Sequence, residues 1–191
     1  MSGPDPVLRV LVLGASLRPG SYNVTLAALA ADLLRESGVA VDLAEFRDFQ
    51  VPGYDADAEG EQGVPAGAAR FAERLADADA FVIASPEYNA SMPGTLKNLI
   101  DWTSRLKPHP FWGHHGLLLS ASPRLTGGNR GLWALRVPLE HLGARMFPEM
   151  VSVAQADEAF THDGLLRDDK QARKLRKTIE SFVDFARRAT R

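Results

Sequence analysis

Near the N-terminus, residues Gly14 to Asn23 read GASLRPGSYN. Two glycines, three side-chain hydroxyls, an arginine and an asparagine meet at one junction. An apolar run, Val7 to Leu13, precedes them, and a helical pattern follows. A plain strand-to-helix turn needs one or two such residues, so the surplus of donors implies an anion. Ser16, Ser21 and Asn23 offer side-chain donors, Gly20 lets backbone N–H groups approach closely, and Arg18 adds a full positive charge. The helix that begins near Asn23 points its positive end into the loop. Two common phosphate loops are absent. Gly20 is followed by Ser21 and Tyr22 rather than the Lys-Ser/Thr of a Walker A loop, and no G-x-G-x-x-G is present. The same residues serve equally as a helix cap beside a solvated arginine, and the loop alone does not decide between the two.

Other candidates carry less. His114 and His115 are adjacent, without an H-x-x-x-H partner or a carboxylate pattern, so no metal site is expected. No G-x-S-x-G elbow accompanies Ser16 or Ser120, which argues against a serine hydrolase. Cysteine is absent, which excludes disulfides, thiolate nucleophiles and Fe–S ligation. The 191 residues carry a net charge of −2 and are 45% hydrophobic, the balance of a soluble globular protein. There is no basic excess to drive nucleic-acid or anionic-membrane binding. The mild charge also argues against a small electron carrier steered by its field. Arg167, Lys170, Arg173, Lys174, Arg176 and Lys177 read as a solvated basic helix face. No signal-peptide pattern and no apolar run of about 20 residues are present, so the expectation is a cytoplasmic protein with no membrane partner.

The elements that position these residues alternate. Val7–Leu13 is dense in Val and Leu on both alternating positions, as in a strand buried on both faces. Leu26, Leu29, Ala30, Leu33 and Leu34 then fall at helical spacing, with Gly38 as a stop. Val39–Leu43 is a second strand, and residues 47–65 read as a long aperiodic surface excursion. A helix over 66–77, a strand over 80–86, a helix over 94–106 and a strand over 116–122 follow. A helix to about Leu142, kinked or split at Pro138, leads to a weak fifth strand over 146–153. A helix over 168–188 closes the chain. This β-α alternation predicts a parallel sheet covered on both faces, in one domain spanning 1–191. Ligands of such sheets collect at the carboxyl ends of the strands, where loops 14–23, 86–94 and 120–131 should converge.

The stretches GASLRPGSYN, VPGYDADAEGEQGVP, SPEYNASMPGTLKNLIDW and SASPRLTGG, in that order over roughly the first two-thirds of the chain, strongly resemble the NADPH-dependent FMN reductase family. That resemblance implies a flavodoxin-like three-layer α/β sandwich with five parallel strands in the order 2-1-3-4-5. It implies that Ser16, Arg18, Ser21 and Asn23, with backbone from Leu17, Gly20 and Tyr22, hold the phosphate of FMN. Pro86, Glu87, Tyr88 and Asn89 would border the isoalloxazine ring, and Ser120, Ala121 and Ser122 would meet it from another side. NADPH or NADH would deliver a hydride to the flavin. A quinone, azo compound, metal oxyanion or free flavin would then receive it in ping-pong fashion. Asn89 is the candidate for orienting the ring, with no obligatory side-chain acid or base. The alternative is an FMN-binding electron-transfer or regulatory protein that does not use nicotinamide. The loop of Tyr54, Asp55 and Asp57 falls at a subunit contact in the family, so a homodimer or homotetramer is expected. Ala15, where relatives usually carry glycine, and the bulky Arg124 depart from the pattern and bear on the turn and on acceptor shape.

Overall fold

The computed structural model describes residues 7–189; residues 1–6, on which part of the signal-peptide reading falls, lie outside the described residues. Strand β1 (Arg9–Gly14) leads into helix α1 (Tyr22–Glu36) and strand β2 (Ala40–Glu45). A short 3-10 turn (Phe46–Phe49), α2 (Ala56–Gln62) and α3 (Ala66–Ala76) follow, then β3 (Ala80–Ala84), α4 (Gly94–Thr103) and β4 (His115–Ala121). The chain continues through α5 (Asn129–His141), β5 (Arg145–Met146), β6 (Val151–Val153), α6 (Ala156–Ala159) and α7 (Asp169–Ala189). All strand pairings are parallel, in the order β2-β1-β3-β4-β5 with β6 also on β4. This is the architecture and strand order that the resemblance implies.

Strand periodicity explains the two cores. Val10, Val12, Val82, Leu117 and Leu119 face α1 and α7, whose Leu26, Leu34, Leu175, Ile179 and Phe182 cover them. Their chain neighbours Leu11, Leu13, Phe81, Ile83 and Leu118 face the other way, under Phe71 of α3, Leu99 of α4 and Leu132 and Leu135 of α5. Both faces are apolar because both are buried. At Gly14 the strand end lies so close to α1 that a Cβ would stand 2.8 Å from the Cα of Val24. That closeness brings the turn between them to the top of the sheet.

Three expectations need correcting. The fifth strand is two short pieces. Met146 pairs with Gly116 and Val151 with Leu119, so five steps on the edge face three on β4. The two surplus residues and Pro148, which has no N–H to give a ladder, account for the break. The excursion at 47–65 is partly ordered by α2, capped by Asp55, whose carboxylate accepts from the N–H of Asp57 (2.8 Å) and Ala58 (3.3 Å). Its period is invisible because α2 buries no residue. Helix α5 runs through Pro138 without splitting. The basic residues Arg173, Lys174, Arg176 and Lys177 of α7 are exposed, and Arg176 pairs with Glu36 of α1 at 2.6 Å.

Candidate active site

The loops leaving β1, β3 and β4 open at one end of the sheet. In the first, Ser21 is the buried N-cap of α1, and its Oγ accepts from the N–H of Asn23 at 3.3 Å. A hydroxyl has one donor besides its lone pairs, and the proton of Ser21 has no acceptor among the described residues. Ser16 Oγ accepts the N–H of Arg18 at 3.3 Å. The Arg18 guanidinium folds back over its own loop, 5.7 Å above the Tyr22 ring and 3.4 Å from the Gly20 carbonyl. It meets no carboxylate among the described residues, so a full charge stands uncompensated at the start of a fifteen-residue helix. From the far side Arg47 donates to the Leu17 carbonyl. A charged donor, a free hydroxyl and a positive helix end are what a dianionic phosphate requires. The residues fit that group, with one exception: the Asn23 side chain is buried and already engaged with Ala121, so it is not a free donor.

The second loop is a tight hairpin. Tyr88 and Ser91 exchange both backbone hydrogen bonds, at 2.9 and 3.0 Å. Asn89 (φ 51°) and Ala90 (φ 62°) between them both adopt the left-handed conformation of a type I′ turn. Asn89 therefore sits exposed at the tip. The first turn of α4, after Pro93, has no side-chain cap, so its N–H groups stay available beside this loop.

Glu87 ties two of the loops together through its carboxylate. Its Oε1 accepts from Arg130 at 2.7 and 3.0 Å and its Oε2 from the N–H of Gly131 at 3.1 Å. Burial pushes its pKa up, but the hydrogen bonds from Arg130 and Gly131 and the Arg130 charge outweigh this and hold the carboxyl below its ordinary value. Glu87 thus caps α5 from a distance and binds the second loop to the third. The partner Arg130 lies 43 residues away and no local spacing announces it.

In the third loop Ser120 is fully buried, and its Oγ has no hydrogen-bond partner. Gly128 (φ 87°) is packed so tightly there that a Cβ would stand 2.0 Å from that oxygen. The Ala121 backbone is held by Asn23, and the N–H of Ser122 donates to Val153 at 3.0 Å. Arg124 and Leu125 project at the tip, Leu125 being 83% exposed. Tyr88 and Leu125 are thus large side chains left open on loops from adjacent strands, and sequence reasoning passed over Leu125. Pro86 is half-buried between Glu87 and Ser85.

The acidic loop is fixed to α4. Trp102 Nε1 (2.8 Å) and Asn98 Nδ2 (2.7 Å) both donate to the Pro52 carbonyl, and the N–H of Tyr54 donates to Asn98 Oδ1 at 2.9 Å. Glu59 accepts from Arg105 and from the Tyr54 hydroxyl, both of which hold its carboxyl low. His115 lies at the opposite end of β4, edge-on to Phe185, and burial lowers its pKa.

The family model described as NADPH-dependent FMN reductase matches residues 8–158. The chain is 36% identical over 183 residues to an NAD(P)H-dependent FMN reductase of Pseudomonas aeruginosa, covering 95% of this chain and 96% of that protein. A quinone reductase of Escherichia coli is 35% identical over 183 residues, with the same coverage. Among solved structures, the flavoenzyme NAD(P)H:(acceptor) oxidoreductase FerB of Paracoccus denitrificans superposes with a TM-score of 0.80 at 28% identity, covering 95% of this chain and 98% of that one. A phosphate-ready turn after the first strand, a tight hairpin after the third and full-length likeness all lead one way: this chain belongs to the NADPH-dependent FMN reductase family.

Proposed function

We propose that the chain is an FMN-dependent NAD(P)H oxidoreductase that reduces a small acceptor of the quinone class, acting as one unit over residues 1–191. The carrying observation is the unpaired Arg18 beside the free hydroxyl of Ser21 at the positive end of α1. It supplies charge and donors for a phosphate on a turn adjoining the loops that follow β3 and β4. Arg18, Ser21, Ser16 and the backbone of Leu17, Gly20 and Tyr22 hold the phosphate. Pro86, Glu87, Tyr88 and Asn89 border the ring, with Ser120, Ala121, Ser122 and the exposed Leu125 across from them. FMN, when bound, would supply the hydride chemistry between NADPH or NADH and the acceptor that a protein side chain lacks. The protein orients and excludes: the I′ turn fixes Asn89 at the tip, and the uncapped N–H groups of α4 favour negative charge beside it. Because nicotinamide and acceptor use the same open side in turn, turnover is ping-pong.

Trp133 and Val137 (57% and 68% exposed) lie four apart on α5, and Trp112 (73% exposed) sits against Gly143 just beyond that helix. An apolar stripe of this kind suits a second copy of the chain, and we assign the homo-oligomer to it together with the loop of Tyr54, Asp55 and Asp57. Among the described residues no helix is long and apolar enough to cross a membrane; a cytoplasmic location is part of the proposal. Titrating the purified protein with FMN should quench flavin fluorescence at one equivalent per chain. The loaded protein should then consume NADPH continuously once a benzoquinone is added. Flavin binding without NADPH consumption would instead support an electron-transfer protein fed by a partner.

A further inference from the structure

Asn23 and Ala121 are 98 residues apart, yet they form a two-point pair. Asn23 Nδ2 donates to the Ala121 carbonyl at 2.8 Å, and the N–H of Ala121 donates to Asn23 Oδ1 at 2.9 Å. Both residues are at most 3% exposed. Strand geometry explains why a side chain is needed. The N–H of Ser122 is turned toward β6, where it meets the Val153 carbonyl. Successive residues of a strand present their backbone groups to opposite sides, so Ala121 presents both of its groups toward β3. There β3 has ended at Ala84, and its last rung is the N–H of Ser85 on Leu119, at 2.9 Å. The planar Asn23 carboxamide, which turns one N–H and its carbonyl oxygen toward Ala121, replaces the missing strand residue. Its own backbone N–H is meanwhile bound to Ser21 Oγ, the cap of α1. One residue therefore bolts the first loop to the third.

On the FMN reading given above, we propose that Asn23 is a positioning residue. Its side chain does not ligate the phosphate but sets the spacing between the phosphate turn and the loop at the ring, in the protein before the flavin arrives. The tests are flavin affinity and amide exchange. Dissociation constants for FMN and for riboflavin, which lacks the phosphate, are measured on wild type, Asn23→Ala, Asn23→Asp and, as reference, Ser21→Ala. Asn23→Asp keeps the shape but sets an oxygen against the Ala121 carbonyl, so it carries the test if Asn23→Ala does not fold. Asn23→Ala should weaken FMN and riboflavin by the same factor, about tenfold, leaving their ratio as in wild type. Asn23→Asp, whose added charge also repels the phosphate, is read on riboflavin alone and should weaken it by that same factor. Ser21→Ala should weaken FMN alone. A fall in the FMN-to-riboflavin preference of Asn23→Ala like that of Ser21→Ala, or wild-type riboflavin affinity in Asn23→Asp, would overturn the proposal. The second arm needs no flavin. The Ala121 amide of the apoprotein should be protected from hydrogen exchange in wild type and at least about tenfold less protected in Asn23→Asp; equal protection overturns the proposal. A wild type that binds neither flavin would instead refute the FMN reading itself, while the exchange arm still judges the bolt.

Discussion

The roles proposed for Arg18 and Ser21 rest on what they lack. A guanidinium without a carboxylate and a capping hydroxyl with an unused proton are both poised for an anion. A hydrogen bond to a charged group contributes roughly 1.5–3 kcal/mol, so Arg18→Ala should raise the FMN dissociation constant about tenfold to a hundredfold in a fluorescence titration. A value within twofold of wild type would remove Arg18 from the phosphate site. Asn89→Ala should slow reduction of the bound flavin by NADPH in stopped flow. An unaltered rate would strip Asn89 of its orienting role. These residues were legible because each acts within a few positions: a cap, a turn and a helix start write their chemistry in adjacent letters. Glu87 and Asn23 were legible only as polar residues in the right loops. Their partners lie 43 and 98 residues away, and spacing along a chain carries no signal for such pairs.

Among the elements, the hairpin after β3 stores strain. Asparagine tolerates the left-handed conformation, but Ala90 at φ 62° carries a cost of about 1 kcal/mol. Ala90→Gly should therefore hold or raise the melting temperature, whereas Ala90→Val should lower it by several degrees; the opposite order would contradict the turn assignment. Glu87 locks that hairpin to α5. Its carboxyl is held low in the folded chain, so the stability it adds is present above about pH 4.5 and is lost as pH falls through the lowered folded value. Glu87→Gln should flatten the acid limb of a denaturation-against-pH curve; an unchanged limb would show that the capping carboxylate adds nothing. The main helices and the four leading strands were readable because they bury continuous apolar faces. The split edge strand and α2 were not, since one breaks at a proline over a few residues and the other touches no core.

The whole molecule separates function from stability along the strand axis. Loops at the carboxyl ends carry the proposed site, and the other end holds buried groups such as His115. Burial lowers the His115 pKa in the folded protein. As pH drops below about 6.5 the unfolded chain binds a proton that the folded chain refuses, so stability falls from there toward the lowered folded value. His115→Phe should remove that slope, read by urea denaturation at pH 7.5 and 5.5. On the outer face, Trp133→Glu with Val137→Lys should convert the assembly to monomers in light scattering while keeping the circular dichroism of the fold. Assembly at the wild-type mass would move the interface off α5.

The account stands on where an elongated flavin lies along the sheet end, and a crystal structure of the FMN complex tests that directly. The phosphorus should sit between Arg18 and Ser21 against the first turn of α1, with the ring beside Tyr88 and Asn89. A phosphate bound at any other turn, or a ring away from the hairpin after β3, would contradict it.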